Sequence, residues 1–172
     1  MDTSVTLLEI HKLMYFMQTA GEGLKLRYNK GAYGPYAENL RHALTAIEGH
    51  FISGYGDAED NPARQIELIN SAVADAERVI EENDDTNDRL ARVADLITGF
   101  ETPFGMELLS TVHWVNAHDG ATDVEQAVAA VYAWNHRKRM FQKRHIRLAW
   151  DVLVAKAWIP KAPPTDEIDV LD

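Results

Sequence analysis

The sequence predicts a mainly α, compact helical domain of about six helices with a small two- or three-stranded antiparallel sheet, an α+β arrangement. Three observations lead there. Apolar residues recur at helical spacing along most of the chain, several of those segments open on capping sequences, and a few short stretches bounded by glycine and proline alternate polar and apolar residues.

Thr6-Leu7-Leu8-Glu9 has the form of a capping box, in which the Thr hydroxyl accepts from a first-turn amide and the Glu carboxylate reaches back to the Thr amide. The helix it opens carries Leu7, Ile10, Met14 and Met17 on one face, widened by Leu8, Leu13 and Phe16, so it is expected to be buried on most sides. Gly21 and Gly23 end it. Lys25 to Asn29 alternates and reads as a short strand. In "KGAYGPYAENLRHAL", Lys30 to Leu44, Pro35 suits the first position of a helix, where its missing N–H has no partner to lose. The turn is therefore expected to launch a helix with Leu40, Ala43, Leu44 and Ile47 inward and Gly49 as the stop. Tyr33 and Tyr36 flank it, either plugging the join or presenting a contact surface.

Phe51 to Asp57 and Arg64 to Ile69 read as two further strands. Helices follow, with one stripe of Ala72, Val73, Ala76, Val79 and Ile80 and another of Leu90, Val93, Ala94 and Ile97. Thr102-Pro103 starts a helix with Leu108, Val112 and Val115 inward, closed at His118-Asp119-Gly120. Thr122-Asp123-Val124-Glu125 has capping-box form and opens a helix with Val124, Ala127, Val128 and Val131 inward. A last helix or helix pair runs from about Arg137 to Trp158, with Phe141, Leu148, Ala149 and Val152 as core residues. Residues 1–160 read as one domain and 161–172, ending "TDEIDVLD", as a flexible acidic tail.

With 172 residues, 46% of them apolar, the chain can build a real core, and with no cysteine it has no disulfide staples and no thiolate zinc site. No basic segment followed by an apolar run opens it, and no apolar run approaches the ~20 residues of a membrane span, so a cytoplasmic protein without membrane contact is expected. The net charge of −10 is unevenly spread. Seventeen acidic residues and four arginines lie between Asp57 and Glu125, whereas Arg137 to Arg147 holds six Lys or Arg and no acid. The acidic part repels nucleic acid and favours a basic partner, or is simply a solvated face. The basic strip could follow a phosphate backbone or dock on acidic helices of the same chain, and the total charge favours the second.

Motifs for chemistry are sparse. None of the seven histidines sits at a spacing that marks a metal site, and no nucleophile elbow or phosphate-cradling glycine loop occurs, so neither metal nor cofactor is expected. His50 and Asp57 are the nearest approach to an acid/base pair, with nothing in the sequence to orient them.

The runs "LLEIHKLMYFMQ" (Leu7 to Gln18), "NKGAYGPYAENLRHAL", "EGHFISGYGD" and "GFETPFGMELLSTVHWV" (Gly99 to Val115) together resemble the C-terminal domain of the DarG antitoxins, over roughly Val5 to Trp158. That family neutralises DarT toxins, which ADP-ribosylate thymidine in single-stranded DNA. Its full-length members begin with a macrodomain that removes ADP-ribose from DNA, and nothing here corresponds to it. The resemblance thus implies a toxin-binding domain that inhibits a DarT-type toxin by binding, with no enzymatic activity, no catalytic residues and no direct nucleic-acid binding. Chemistry suggests how: an acidic, aromatic-bearing surface would mimic DNA in the toxin's groove. Asp57, Glu59, Asp60, Glu81, Glu82, Asp84 and Asp85 would supply charge, and Tyr33, Tyr36, Tyr55 and Phe104 apolar anchors. Two alternatives stand beside it, a winged-helix type DNA-binding regulator using the basic C-terminal helix and an enzyme built on His50 and Asp57.

Overall fold

In the computed structural model, which describes residues 4–56 and 60–162, local signals and long-range pairing divide the work. The first helix, α1 (Leu7–Thr19), starts at the expected capping box: Glu9 N donates to Thr6 Oγ1 at 3.2 Å, and Thr6 N donates to Glu9 Oε2 at 2.8 Å. Such a cap contributes about 1 kcal/mol. Its N-terminal neighbour β1 (Ser4–Thr6) is a strand that local pattern did not reveal, because it exists only by pairing with β5 (Gln65–Leu68). With β4 (Ile52–Ser53) these strands form an antiparallel sheet in the order β1-β5-β4.

The Tyr-Gly-Pro-Tyr stretch departs from expectation. It starts no helix; Gly34–Ala37 is strand β3, paired in an antiparallel hairpin with β2 (Tyr28–Gly31) so that Lys30 faces Pro35. Proline is tolerated there because a two-stranded sheet has two open edges and needs no N–H at that position. The next helix, α2 (Leu40–Ile47), begins only after Asn39.

The remaining helices are α3 (Asn70–Glu81), α4 (Asp84–Ile97), α5 (Pro103–Ala117), α6 (Val124–Trp134) and α7 (Lys143–Ala155), with a 3₁₀ turn at His136–Met140 before the last. The mainly α, α+β expectation holds, with seven α-helices among the described residues and two small antiparallel sheets. The capping residue of α6 is Asp123, one residue beyond the expected Thr122; its side chain accepts from Gln126 N, but Gln126 accepts from Thr122 N and not from Asp123 N, so the expected reciprocal box does not form.

Helix α5 is the axis of the fold. Every residue from Gly105 to Val115 is buried, and α1, α6, α7 and strand β3 pack around it. The main core gathers Phe16, Leu109, Val112, Phe141, Ile146 and Leu153. A smaller core of Leu7, Ala37, Leu40, Leu44, Tyr55 and Ile66 lies under the sheets and α2, and α1 contributes to both. The expected α3 stripe fails: only Ala72 is buried and Val79 is 64% exposed, because no layer covers that helix's outer side. In the last segment Phe141 and Ala149 are sealed and Val152 packs against the main core as expected, and Leu148 alone departs, at 55% exposed. No helix among the described residues is long and apolar enough to cross a membrane. The expected tail from Pro163 onward lies outside the described residues.

Candidate functional site

A cleft of about 250 Å³ opens where α1, the β2–β3 hairpin and the segment before β5 meet. Its lining comes from Leu8, His11 and Lys12 of α1, the turn from Gly31 to Gly34, Tyr36 of β3, and Asp60 with Pro62. The hairpin makes this possible. Gly34 has φ +99°, a conformation glycine adopts freely, and a Cβ there would stand 3.0 Å from Thr111 Oγ1 and 3.5 Å from both Lys12 Nζ and Ser110 Oγ. The backbone thus closes directly over a small group of polar atoms.

Most side chains in and under the cleft are fixed by named partners. The His11 ring stacks on Tyr36 with centroids 4.6 Å apart and planes 23° from parallel. The Tyr36 hydroxyl donates to Asp60 Oδ2 at 2.6 Å, and Arg41 reaches the same oxygen at 2.6 Å. Lys12 Nζ donates to the Pro35 carbonyl at 2.7 Å. Behind it, Glu107 of α5 receives Lys138 Nζ at 2.6 Å and the Arg137 guanidinium. Arg137 also covers the Tyr33 ring at 4.3 Å, on the rim.

The electrostatics follow from this packing. Burial, and then the charge of Lys12, lowers the His11 imidazole from the usual histidine range to about 4, with Asp60 opposing. Lys12 falls to about 7, first through burial and then through the charge of Lys138, with Glu107 acting the other way and Arg137 adding to the fall. Burial and the bond to Asp60 push the Tyr36 hydroxyl up to about 12. Burial raises Asp60, but the Tyr36 hydroxyl and the Arg41 guanidinium outweigh it and hold that carboxyl below its ordinary value. The cleft therefore presents an ionised carboxylate, a neutral imidazole and an amine that gains or loses a proton near neutrality.

The residues expected to form a contact surface are divided by the fold. Tyr33, Tyr36 and Asp60 converge at the cleft. Phe104 is 40% exposed at the start of α5, edge-on to Phe141 at 5.1 Å and His145 at 5.4 Å. Glu81, Glu82, Asp84 and Asp85 are exposed at the junction of α3 and α4, on elements that contribute nothing to the cleft. Tyr55 is corrected: only 1% exposed, it is the largest side chain of the smaller core and cannot anchor a partner. Asp57 and Glu59 lie outside the described residues, and with Asp57 the expected pair with the exposed His50.

The basic strip is partly consumed inside the chain. Arg137 and Lys138 meet Glu107, Arg147 meets Glu125, and Arg139 lies over Tyr132 at 5.8 Å. Three of its six cations thus pair with carboxylates of the same chain, so it presents no unbroken basic helix of the kind a winged-helix regulator would need. Among the described residues no cluster of three or more His, Asp or Glu is arranged to hold a metal ion.

Sequence reasoning passed over His11, Lys12, Gly34, Glu107 and Lys138. The signal was present in α1 and α5: a Lys amid "LLEIHKLMYF" and a Glu amid "GMELLSTVHWV" are charges in helices whose apolar width already implied burial.

No family model matches the chain. It is similar to a protein named DNA ADP-ribosyl glycohydrolase from Thermus aquaticus, 42% identical over 149 residues that cover 87% of this chain and 41% of the relative. Proteins of the same name from Mycobacterium bovis and Mycobacterium tuberculosis are 38% identical over 156 residues, covering 87% of this chain and 44% of each relative. The chain thus spans about two fifths of the length of the curated relatives it matches. That name belongs to an enzyme that removes ADP-ribose from DNA, so the expectation of a non-enzymatic, DNA-mimicking antitoxin domain is overturned, and its regulator alternative gains no support.

Proposed function

We propose that this chain works in the hydrolytic removal of ADP-ribose from DNA, and that the His11–Tyr36–Asp60 cleft is where it engages the modified strand. The observation that carries this reading is the similarity, over 87% of the chain, to three proteins named DNA ADP-ribosyl glycohydrolase. The cleft supplies compatible chemistry. Breaking a glycosidic bond calls for a carboxylate beside the developing oxocarbenium ion and a proton for the leaving group. Asp60 is the carboxylate, kept ionised by Tyr36 and Arg41. Lys12 titrates near neutrality, the range in which a general acid works best. Arg41 and Arg137, at or beside the cleft, offer guanidinium groups to phosphates.

The test is direct. The purified chain is incubated with a single-stranded oligonucleotide carrying one ADP-ribosyl group, and free ADP-ribose is measured by mass spectrometry. Release that falls sharply in Asp60→Asn supports the proposal. An oligonucleotide left fully modified by the chain in molar excess overturns it.

A further inference from the structure

The floor of the cleft carries an unused hydrogen-bonding capacity that neither its apolar walls nor the carboxylate explains. His11 is 5% exposed, it lines the cleft, and its Nδ1 has no hydrogen-bond partner among the described residues. Lys12 Nζ carries more N–H groups than the one acceptor at hydrogen-bonding distance, the Pro35 carbonyl, can take. A buried polar group left unpaired costs about 1–3 kcal/mol, so a cleft that gathers such groups is suited to something that satisfies them.

Three features define that ligand. The space, about 250 Å³, is below the ~300–1,000 Å³ of sites that take a whole drug-sized molecule, so it suits one ring system and excludes a complete nucleoside diphosphate sugar. The walls are planar and apolar: the Tyr36–His11 stack on one side, Leu8 and Pro62 among the rest. The rim carries Tyr33 under the Arg137 guanidinium, an aromatic face beside a cation. An aromatic slot with polar atoms at its base and a stacking platform at its mouth is the arrangement in which unstacked bases of nucleic acids are read.

We propose that this cleft seats a single unstacked nucleobase, stacked on the open side of the Tyr36–His11 pair and hydrogen-bonded along its edge by the groups of α1. The proposal rests on the reading of the chain as acting on ADP-ribosylated DNA and names which part of that substrate the cleft takes. The base has two possible sources, the DNA strand itself and the adenine of the ADP-ribosyl group, which share this chemistry.

The experiment measures binding of three probes to the full chain at about 50 mM salt, where phosphate contacts are not screened away. They are a fluorescent dT oligonucleotide, the same strand with abasic residues throughout, and ADP-ribose. Ala32→Phe, at an exposed turn position of the cleft lining, fills the space without touching the core. If the strand supplies the base, the dT strand binds about tenfold or more tighter than the abasic strand, and Ala32→Phe removes the difference. If the adenine supplies it, ADP-ribose binds and Ala32→Phe abolishes that binding. Equal binding of the two strands together with no cleft-dependent binding of ADP-ribose overturns the proposal. These outcomes stand apart from hydrolysis: base-dependent binding without release of ADP-ribose sinks the glycohydrolase reading and leaves the base site standing, and the reverse result does the opposite.

Discussion

Glu107 and Lys138, thirty-one residues apart, join at 2.6 Å with side chains 1% and 0% exposed, a fully sealed ion pair beneath the cleft. Arg137 shares the same carboxylate from the edge. Burial lowers the Lys138 amine most, and Glu107 counters it. Removing the carboxylate leaves Lys138 and its neighbour Lys12 as uncompensated interior cations. Glu107→Gln is therefore expected to cost about 3–5 kcal/mol, whereas Lys138→Met, which leaves Arg137 on Glu107, should cost clearly less. Urea unfolding of the two variants checks the order; equal losses would show that Arg137 contributes nothing to the pair.

The buried histidines set the acid limit. His11 and His113 are each lowered to about 4, chiefly by burial, and the His113 Nδ1 and the Tyr15 hydroxyl lie at hydrogen-bonding distance, 2.6 Å. Between their ordinary value near 6.5 and 4, the unfolded chain binds these protons and the folded chain does not. Stability contributed by the neutral rings is thus intact above pH 6.5 and lost as pH falls through that window, by about 1.4 kcal/mol per pH unit for each group. Denaturant midpoints between pH 7 and 5 should fall steeply, and His113→Gln should flatten the fall.

Lys12 acts in the opposite range. Its ordinary value is 10.5 and its folded value about 7, so above pH 7 the unfolded chain holds a proton that the folded chain has released. Folding stability from this site rises with pH from 7 toward 10.5, by about 1.4 kcal/mol per unit, and its penalty is fully present below 7. Lys12→Met removes that slope. Stability curves for both proteins at pH 7, 8 and 9 provide the check, and parallel curves would mean the amine is not buried as described.

Gly105 lies inside α5, where alanine would ordinarily favour the helix. A Cβ there would stand 2.5 Å from the Phe100 carbonyl oxygen and 2.8 Å from its Cα, both backbone atoms that cannot step aside. Gly105→Ala is expected to destabilise by about 1–3 kcal/mol despite the gain in helix propensity, measurable as a drop in Tm.

Phe16 is wholly buried, edge-on to Trp158 at 5.4 Å and to His113 at 5.9 Å, and so ties α1 to α5 and to the chain after α7. Phe16→Ala should cost about 3–5 kcal/mol through lost contacts and the cavity left behind. A loss under about 1 kcal/mol would mean that the neighbouring rings collapse into the space.

Most helices could be read from the chain because their causes are local. Thr6 and Thr102 cap amides within three residues of themselves, and the apolar spacing of α5 follows from its own sequence. The same local reading misplaced Pro35, because the rule that favours proline at a helix start carries no knowledge of β2 lying alongside. Tyr55 looked like a surface anchor beside Gly54 and Gly56, yet Leu7, Leu40 and Ile66 close over it from three other elements. The acidic and aromatic residues suggested one contact surface; the fold sends the acids of α3 and α4 one way and Tyr33, Tyr36 and Asp60 into a cleft.

The sequence by itself determined the helical character, the caps, the short strands around Gly54 and Gln65, and the uneven charge, since each depends on atoms a few residues apart. Only the tertiary structure decided that Lys12, His11 and Glu107 are buried charges and polar rings around one cleft. Their environment is made by chain segments between twenty and more than a hundred residues away, and desolvation and ion pairing depend on distance in space, which local sequence does not record.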